Sequence, residues 1–279
     1  HQGTKKEISI YGQENTPTTY KLAKMNLAIR GISANLGDKH ADTFSNDQHK
    51  DLKADFIMAN PPFNLKDWRG ENELLDDPRW MGYDVPPKSN ANYGWILNMV
   101  SKLSENGVAG FILANGALSG GGEEYKIRRK LIENNLVEAI IIIPRNTFYT
   151  TDISVTLWIL NKNKKERTVT KNDLQRNYRS REKEILFMDL RRWGSEYEKK
   201  YVELTEKDIT EVALNYHNWQ TQNSGYKDVP EFCKSASFED VEANDFSLVP
   251  SKYIEFVDKD SGIDFDTEMK RIQKTGLIK

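Results

Sequence analysis

Two successive prolines stand directly behind a run that reads as a buried β-strand. The run 54–59, Ala-Asp-Phe-Ile-Met-Ala, leads straight into Asn60-Pro61-Pro62-Phe63. In an open α/β sheet, ligands bind just beyond the carboxyl ends of strands. The prolines fix the backbone there and remove two N–H donors, which leaves carbonyls as pure acceptors. The Asn60 side chain adds an amide oxygen beside them, and Phe63 adds a flat apolar face. Such a group suits an aromatic exocyclic amine, whose lone pair is delocalised into its ring. Two acceptors on the two amine hydrogens favour the pyramidal geometry that frees the lone pair, and no strong base is required. The plain alternative is a proline-rich turn after a strand.

The rest of the chain supplies a frame for this motif. Ile8-Ser9-Ile10-Tyr11 alternates as a strand does. Thr16-Pro17 reads as an N-cap followed by proline at the first helical position. Leu22, Met25 and Ile29 then fall on one helical face, closed by Gly31. After the motif comes a long Pro, Gly and Asn-rich loop, about 64–90, with no clear period. A helix is predicted over about 91–105, a turn at Asn106-Gly107, a strand over 108–114 and a helix over about 123–134. The β-rich runs 137–143 and 153–160 predict neighbouring antiparallel strands. This alternation predicts an α/β fold, a mostly parallel sheet with helices on both faces. Beyond it, 185–190 reads as one more strand, 205–219 as a helix capped by Thr205, and about 238–243 as a short helix. The pattern divides the chain into a core, 1–161, and a basic insertion with a C-terminal helical extension, 162–279.

Composition narrows the classes. At 38% hydrophobic residues the chain can fill a core. No apolar run approaches the roughly 18 residues of a membrane helix, and the opening, 1–6, is polar, so no membrane partner is expected. The single cysteine, Cys233, excludes an internal disulfide and fits a reducing, cytoplasmic setting. The four histidines lack metal-ligand spacing, so no metal is expected. With a net charge of −2, any contact with nucleic acid must be local or shared with a partner. The candidate patch is 162–192, with eleven Lys or Arg against five Asp or Glu. It reads equally as a solvated insertion or as a surface for DNA or another subunit.

Asn60-Pro61-Pro62-Phe63 resembles the catalytic motif of amino-group methyltransferases. Further runs are similar to the modification (M) subunit of type I restriction–modification systems: Ile10-Tyr11-Gly12-Gln13-Glu14 with Leu22-Ala23-Lys24-Met25-Asn26, Val85-Pro86-Pro87-Lys88 with Asn92-Tyr93, and Gly107-Val108-Ala109 with Ala114-Asn115-Gly116. Late in the chain, Glu231-Phe232-Cys233-Lys234-Ser235 and the run from Phe246 to Tyr253 add to the resemblance. It implies a Rossmann-like methyltransferase sheet and transfer of a methyl group from S-adenosylmethionine to N6 of adenine in double-stranded DNA. It implies assembly with a specificity (S) subunit, a restriction (R) subunit and a second M subunit. By the same resemblance, Glu14 binds the cofactor's ribose hydroxyls, Asp42 accepts from its adenine amine, and Phe44 lies against that ring or in the core. Asn60 and the Pro61 carbonyl hold the target amine beside the cofactor, with Pro62 fixing the turn. Phe63 stacks on an adenine flipped out of the duplex. Phe148 resembles a second aromatic contact to that base, with Tyr149 a close competitor.

The chain departs from the family pattern in two ways. The Gly-rich segment that grips the cofactor's methionine part is not found, and Gly120-Gly121-Gly122 stands in the wrong place for it. The helical amino-terminal domain is also not found, so the resemblance implies a catalytic core truncated at its amino-terminal side, with a C-terminal extension. Other readings keep the chemistry but change the substrate, to protein glutamine or RNA, or make this piece a non-catalytic assembly module. A nicotinamide enzyme is disfavoured, because no G-x-G-x-x-G is present. The chain alone is expected to bind cofactor poorly and to show little activity. Calorimetric titration with S-adenosylmethionine should find affinity weaker than micromolar; a micromolar Kd contradicts the expectation.

Overall fold

The computed structural model describes residues 8–149, 152–171, 174–198 and 200–257. The polar opening at 1–6 and the tail beyond 257 lie outside them. The chain opens with a short parallel pair, β1 (Ile10–Tyr11) and β2 (Ala34–Asn35), joined through α1 (Pro17–Ile29). Next come β3 (Ala54–Ala59), α2 (Asn92–Ser101), β4 (Leu103–Ala114), α3 (Gly122–Glu133), β5 (Val137–Ile142) and β6 (Val155–Asn161). A hairpin, β7 (Arg167–Lys171) and β8 (Leu174–Tyr178), leads to β9 (Glu184–Asp189). A second hairpin, β10 (Ser195–Tyr197) and β11 (Tyr201–Glu203), precedes α4 (Glu206–Gln220), β12 (Cys233–Ser237) and α5 (Phe238–Ala243).

The main sheet has six strands in the order β12-β9-β5-β6-β4-β3. β3 pairs parallel with β4, and β5 parallel with β9. β6 lies antiparallel between β4 and β5, and β12 is antiparallel to β9. Thus β3, β4, β5 and β9 point one way and β6 and β12 the other. The carboxyl ends of β3 and β5 therefore open on the same edge of the sheet. The sheet also crosses residue 161, because β9 and β12 lie beyond it.

Alternation decides which side chains meet. Ala109, Phe111 and Leu113 of β4 face Tyr93, Ile96 and Leu97 of α2 and Leu131 of α3, around a fully buried Trp158. On the opposite face, Ala139, Ile141, Leu186 and Met188 pack against Trp219 of α4 and Phe232. α4 starts where predicted, with a capping box in which Thr205 and Asp208 each bond the other's backbone. Helices thus cover both faces. At the β3 end, Phe56 and Met58 on the second face are 64% and 91% exposed.

One expectation is corrected. Asn106-Gly107 is not a turn between helix and strand: α2 ends at Ser101 and both residues lie inside β4, beside a register shift against β3. Gly107 is required there, because a Cβ would lie 2.8 Å from the Ala54 carbonyl oxygen. The stretch 162–192, open in the sequence between a solvated insertion and a contact surface, is folded into strands over its described residues. It forms β7, β8 and β9, and several of its cations point inward.

The reason is Glu138, a fully buried carboxylate in the central strand β5. A buried charge is tolerated only when paired and hydrogen-bonded. Arg181 Nε donates to Glu138 Oε1 at 2.7 Å, Gln220 Nε2 to the same oxygen at 3.2 Å, and Asn161 Nδ2 to Oε2. Arg179 grips Glu184 through both guanidinium nitrogens, at 2.9 and 2.8 Å. Lys164 Nζ donates to the carbonyls of Val137, at 2.9 Å, and Glu184, at 2.6 Å.

Burial pulls the Lys164 ammonium from the ordinary 10.5 down to about 8, against the pull of Glu138. Between these values the unfolded chain binds more protons than the folded one, so raising the pH favours folding. Below pH 8 both states are protonated and the penalty is constant. The stability of the chain relative to a Lys164→Met variant should therefore rise from pH 8 to 10.5, by on the order of 3 kcal/mol. Urea denaturation across this range measures it, and a flat difference would show that Lys164 keeps its ordinary pKa.

Candidate active site

Asn60–Phe63 lies just past the end of β3. Asn60 and Pro62 are exposed, Pro61 is buried and Phe63 is half-buried. The motif is thus anchored through one proline while its amide reaches solvent. Its exit is fixed by the next residue. Asn64 takes a left-handed backbone, φ 53°, and exchanges two hydrogen bonds with Asn92. The Asn64 N–H donates to Asn92 Oδ1 at 3.0 Å, and Asn92 Nδ2 returns a bond to Asn64 Oδ1 at 2.9 Å. Asn90 Nδ2 also donates to Asn64 Oδ1, at 3.3 Å, and the Ala91 N–H to the Leu65 carbonyl at 2.9 Å. These bonds close the neck of the loop 64–90 onto the first turn of α2.

The loop beyond that neck is ordered by its own side chains. Trp68 Nε1 donates to the Pro87 carbonyl at 2.9 Å, and Trp80 Nε1 to that of Leu74 at 2.6 Å. A short 3-10 turn, Pro78–Trp80, carries Arg79. Arg79 bonds Asp77 and donates to the carbonyls of Thr43 at 2.8 Å and Phe44 at 2.6 Å. Burial raises the Asp77 carboxyl, but the Arg79 guanidinium and N–H outweigh it and hold it below the usual range. An open groove of about 590 Å³ runs along the outer side of this loop, between Arg69, Asp84, Lys88 and Lys126. None of the predicted site residues lines it.

Glu14 and Asp42 are distant in sequence and adjacent in space. The Ala41 N–H donates to the Glu14 carbonyl at 2.8 Å. Gln13 clamps the same two segments: its Nε2 donates to the carbonyls of Ala41 and Asn46, at 3.0 and 2.8 Å, and its Oε1 accepts the Gln48 N–H at 3.0 Å. The Glu14 carboxylate is half-buried and accepts the Thr16 N–H at 3.1 Å. Asp42 Oδ1 accepts from the Phe44 and Ser45 N–H groups, at 3.0 and 2.8 Å, an Asx turn. The segment is fastened to the far end of α2 by Lys102, whose Nζ reaches Asp47 at 2.6 Å and the His49 carbonyl at 2.7 Å.

Phe44 is a core residue. It is 2% exposed, with ring centroids 4.2 Å from Trp95 and 4.3 Å from Trp68. Of the two positions expected for Phe44, it is found in the core. Phe148 is half-buried and Tyr149 is 69% exposed, in the loop after β5. β4 and β6 separate β5 from β3, so the two loops start roughly 14 Å apart at the ordinary strand spacing. Asn115, at the end of β4 between them, bonds Ser154 and Thr156 at the start of β6. The glycines 120–122 lead into α3, away from Glu14 in the chain.

Sequence reading missed Asn64, Gln13 and Arg79 as site-forming residues. The signal available was weak: an Asn-rich loop neck, and a glutamine beside the candidate ribose-binding acid.

A family model described as N-6 DNA Methylase matches residues 1–261. This chain belongs to the N-6 DNA methylase family. It is 43% identical, over its whole length, to the HindI methylase subunit of a type I restriction enzyme from Haemophilus influenzae, and covers 59% of that protein. It is 34% identical to the MjaIX methylase subunit of Methanocaldococcus jannaschii, with 95% of this chain and 46% of that one aligned. Among solved structures, the methyltransferase subunit of a type I restriction–modification system from Streptococcus thermophilus superposes with a TM-score of 0.74 at 27% identity. That match covers 88% of this chain and 48% of the other. The chain thus spans about half the length of these relatives. The Rossmann-like fold expected from the sequence is that of the family.

The Asn64–Asn92 pair can be tested directly. Asn92→Ala removes the buried amide that holds the exposed Asn64, and should cost about 0.5–1.5 kcal/mol per lost hydrogen bond in urea denaturation. It should also speed limited proteolysis within 64–90. Wild-type stability and cleavage rate together would show that the neck is held by other contacts.

Proposed function

We propose that this chain is the catalytic core of an adenine-N6 DNA methyltransferase, acting as part of the modification subunit of a type I restriction–modification complex. The open, braced strand end at Asn60–Phe63 carries this reading. It offers acceptors where Pro61 and Pro62 have no backbone N–H to compete, beside an aromatic ring that is half accessible. Family membership supports the reaction class.

The Asn60 Oδ1 atom and the Pro61 carbonyl accept the two N6 hydrogens of the target base. This holds the amine in the geometry that exposes its lone pair. Phe63 stacks on the extruded adenine, a contact worth roughly 1–3 kcal/mol, and Phe148 contacts it from the neighbouring loop. The buried Pro61 keeps the acceptors still, so little reorganisation is needed. The product ammonium gives its proton to water.

The residues present fit the cofactor in part. Glu14 and Asp42 bring two carboxylates to adjoining segments, and carboxylates suit ribose hydroxyls and an adenine amine, which both donate. S-adenosylmethionine, when bound, supplies an electrophilic methyl group. Phe44 contributes by anchoring the Asp42 turn among the tryptophans. The partners in this reading are duplex DNA, a specificity subunit that reads the sequence, a restriction subunit and a second modification subunit. Near-neutral charge supports delegation of DNA reading, because phosphate contacts demand excess Lys and Arg.

In the full-length subunit assembled with its partners, Asn60→Ala should lower methyl transfer to duplex DNA by about 10²–10³-fold, with the melting temperature unchanged. Incorporation of labelled methyl groups measures it. A wild-type rate would remove Asn60 from the chemistry, and transfer only to RNA or peptide would overturn the substrate.

A further inference from the structure

The hairpin β10–β11 was not legible in the sequence, and it reaches the loop that carries Phe148. The Val202 N–H of β11 donates to the Asn146 carbonyl at 3.1 Å. The Tyr201 ring meets Tyr149 edge-on, with centroids 4.7 Å apart at 64°. Tyr197, one strand away and paired with Tyr201, faces Glu198 and Tyr149. The loop has internal structure too. Asn146 adopts φ 61°, and Thr147 Oγ1 donates to the Pro144 carbonyl at 2.8 Å.

The hairpin is rooted in the body of the fold. β9 ends at Asp189, whose N–H donates to the Phe232 carbonyl at 2.8 Å. Trp193 stacks on Phe232 at 4.5 Å and 29°. Gly194 then turns the chain into β10 at φ 89°, where a Cβ would sit 2.8 Å from the Glu203 carbonyl oxygen. Trp193 and Gly194 fix where the hairpin leaves the sheet, and hence where Tyr201 stands. β9 is parallel to β5, so the hairpin and the Phe148 loop emerge on the same edge as Asn60–Phe63.

We propose that β10–β11 is a positioning arm. Tyr201 and the Val202 N–H hold the 143–149 loop so that Phe148 and Tyr149 meet the extruded adenine opposite Phe63. Tyr201 touches Tyr149 and acts through it, so it is a positioning residue. This rests on the DNA-methylation reading above and adds to it the element that sets the second aromatic wall. The exposure of Tyr149 despite its contact with Tyr201 leaves its ring available to a ligand. The edge-on geometry depends on the ring of Tyr201 and needs no hydroxyl.

The test uses the full-length subunit in its DNA-methylating assembly. Tyr201→Ala should lower kcat about 10- to 100-fold, as misplacement of a binding wall does, with duplex affinity and melting temperature unchanged. With 2-aminopurine at the target position, base extrusion should persist while stacking quench in the complex falls. Tyr201→Phe should restore both kcat and quench. Gly194→Ala, which clashes at the root of the hairpin, should match Tyr201→Ala in kcat and quench, with a lowered melting temperature. Wild-type kcat and quench in both Tyr201→Ala and Gly194→Ala would overturn the proposal, as would a Tyr201→Phe variant as impaired as Tyr201→Ala. If Asn60→Ala also keeps its rate, the catalytic reading itself has failed; if Asn60→Ala is dead and the hairpin variants are normal, only the arm is wrong.

Discussion

Helix α2 is the member to which the parts of the candidate site are fastened. It is buried along nearly its whole length between the sheet and the loop 64–90. Each buried Ile, Leu or Val on it contributes about 1.5–3 kcal/mol, so its position is set by the core. Its first turn grips Asn64 and thereby the exit of Asn60–Phe63. Asn98, in its last turns, accepts from Arg79, which also holds the segment at Thr43 and Phe44. The following residue after the helix, Lys102, holds Asp47. A shift of α2 would therefore move Asn60–Phe63 and the Glu14–Asp42 segments together. Under the proposed reading, two molecules that must be aligned would both be held from one rigid rod.

What the sequence made legible depended on whether the signal was local. β3 was read to its end residues, because apolar runs and prolines sit next to one another. The helix after Thr205 was read from its cap, and the antiparallel pairing of β5 with β6 from two β-rich runs around a short loop. The hairpins β7–β8 and β10–β11 were not read, because most of their residues face solvent and show no apolar alternation. β12, Cys-Lys-Ser-Ala-Ser, is composed of small and polar residues and is a strand by virtue of β9 beside it. Tertiary context overrides propensity in such segments.

The site divides in the same way. Asn60–Phe63 was visible as a motif with a physical rationale. The proximity of Glu14 to Asp42 came from family resemblance, and the fold supplies its cause in Gln13 and the Ala41–Glu14 bond. The Asn64–Asn92 amide pair spans 28 residues, and nothing in a single sequence says which asparagines meet. Phe44, an aromatic beside a candidate binding acid, lies in the core, where three tryptophans pack on it.

Glu138 carries an implication for how sequences of this kind diverge. Its carboxylate and the Arg181 guanidinium are each enclosed, one in the central strand and one in the basic stretch. Losing either member alone leaves an isolated ion in a dry interior, whereas exchanging both for apolar residues of similar volume is often tolerated. The two positions are therefore expected to drift as a single inherited unit. An alignment deep enough to detect correlated change should join residue 138 to residue 181 across a separation of 43 residues.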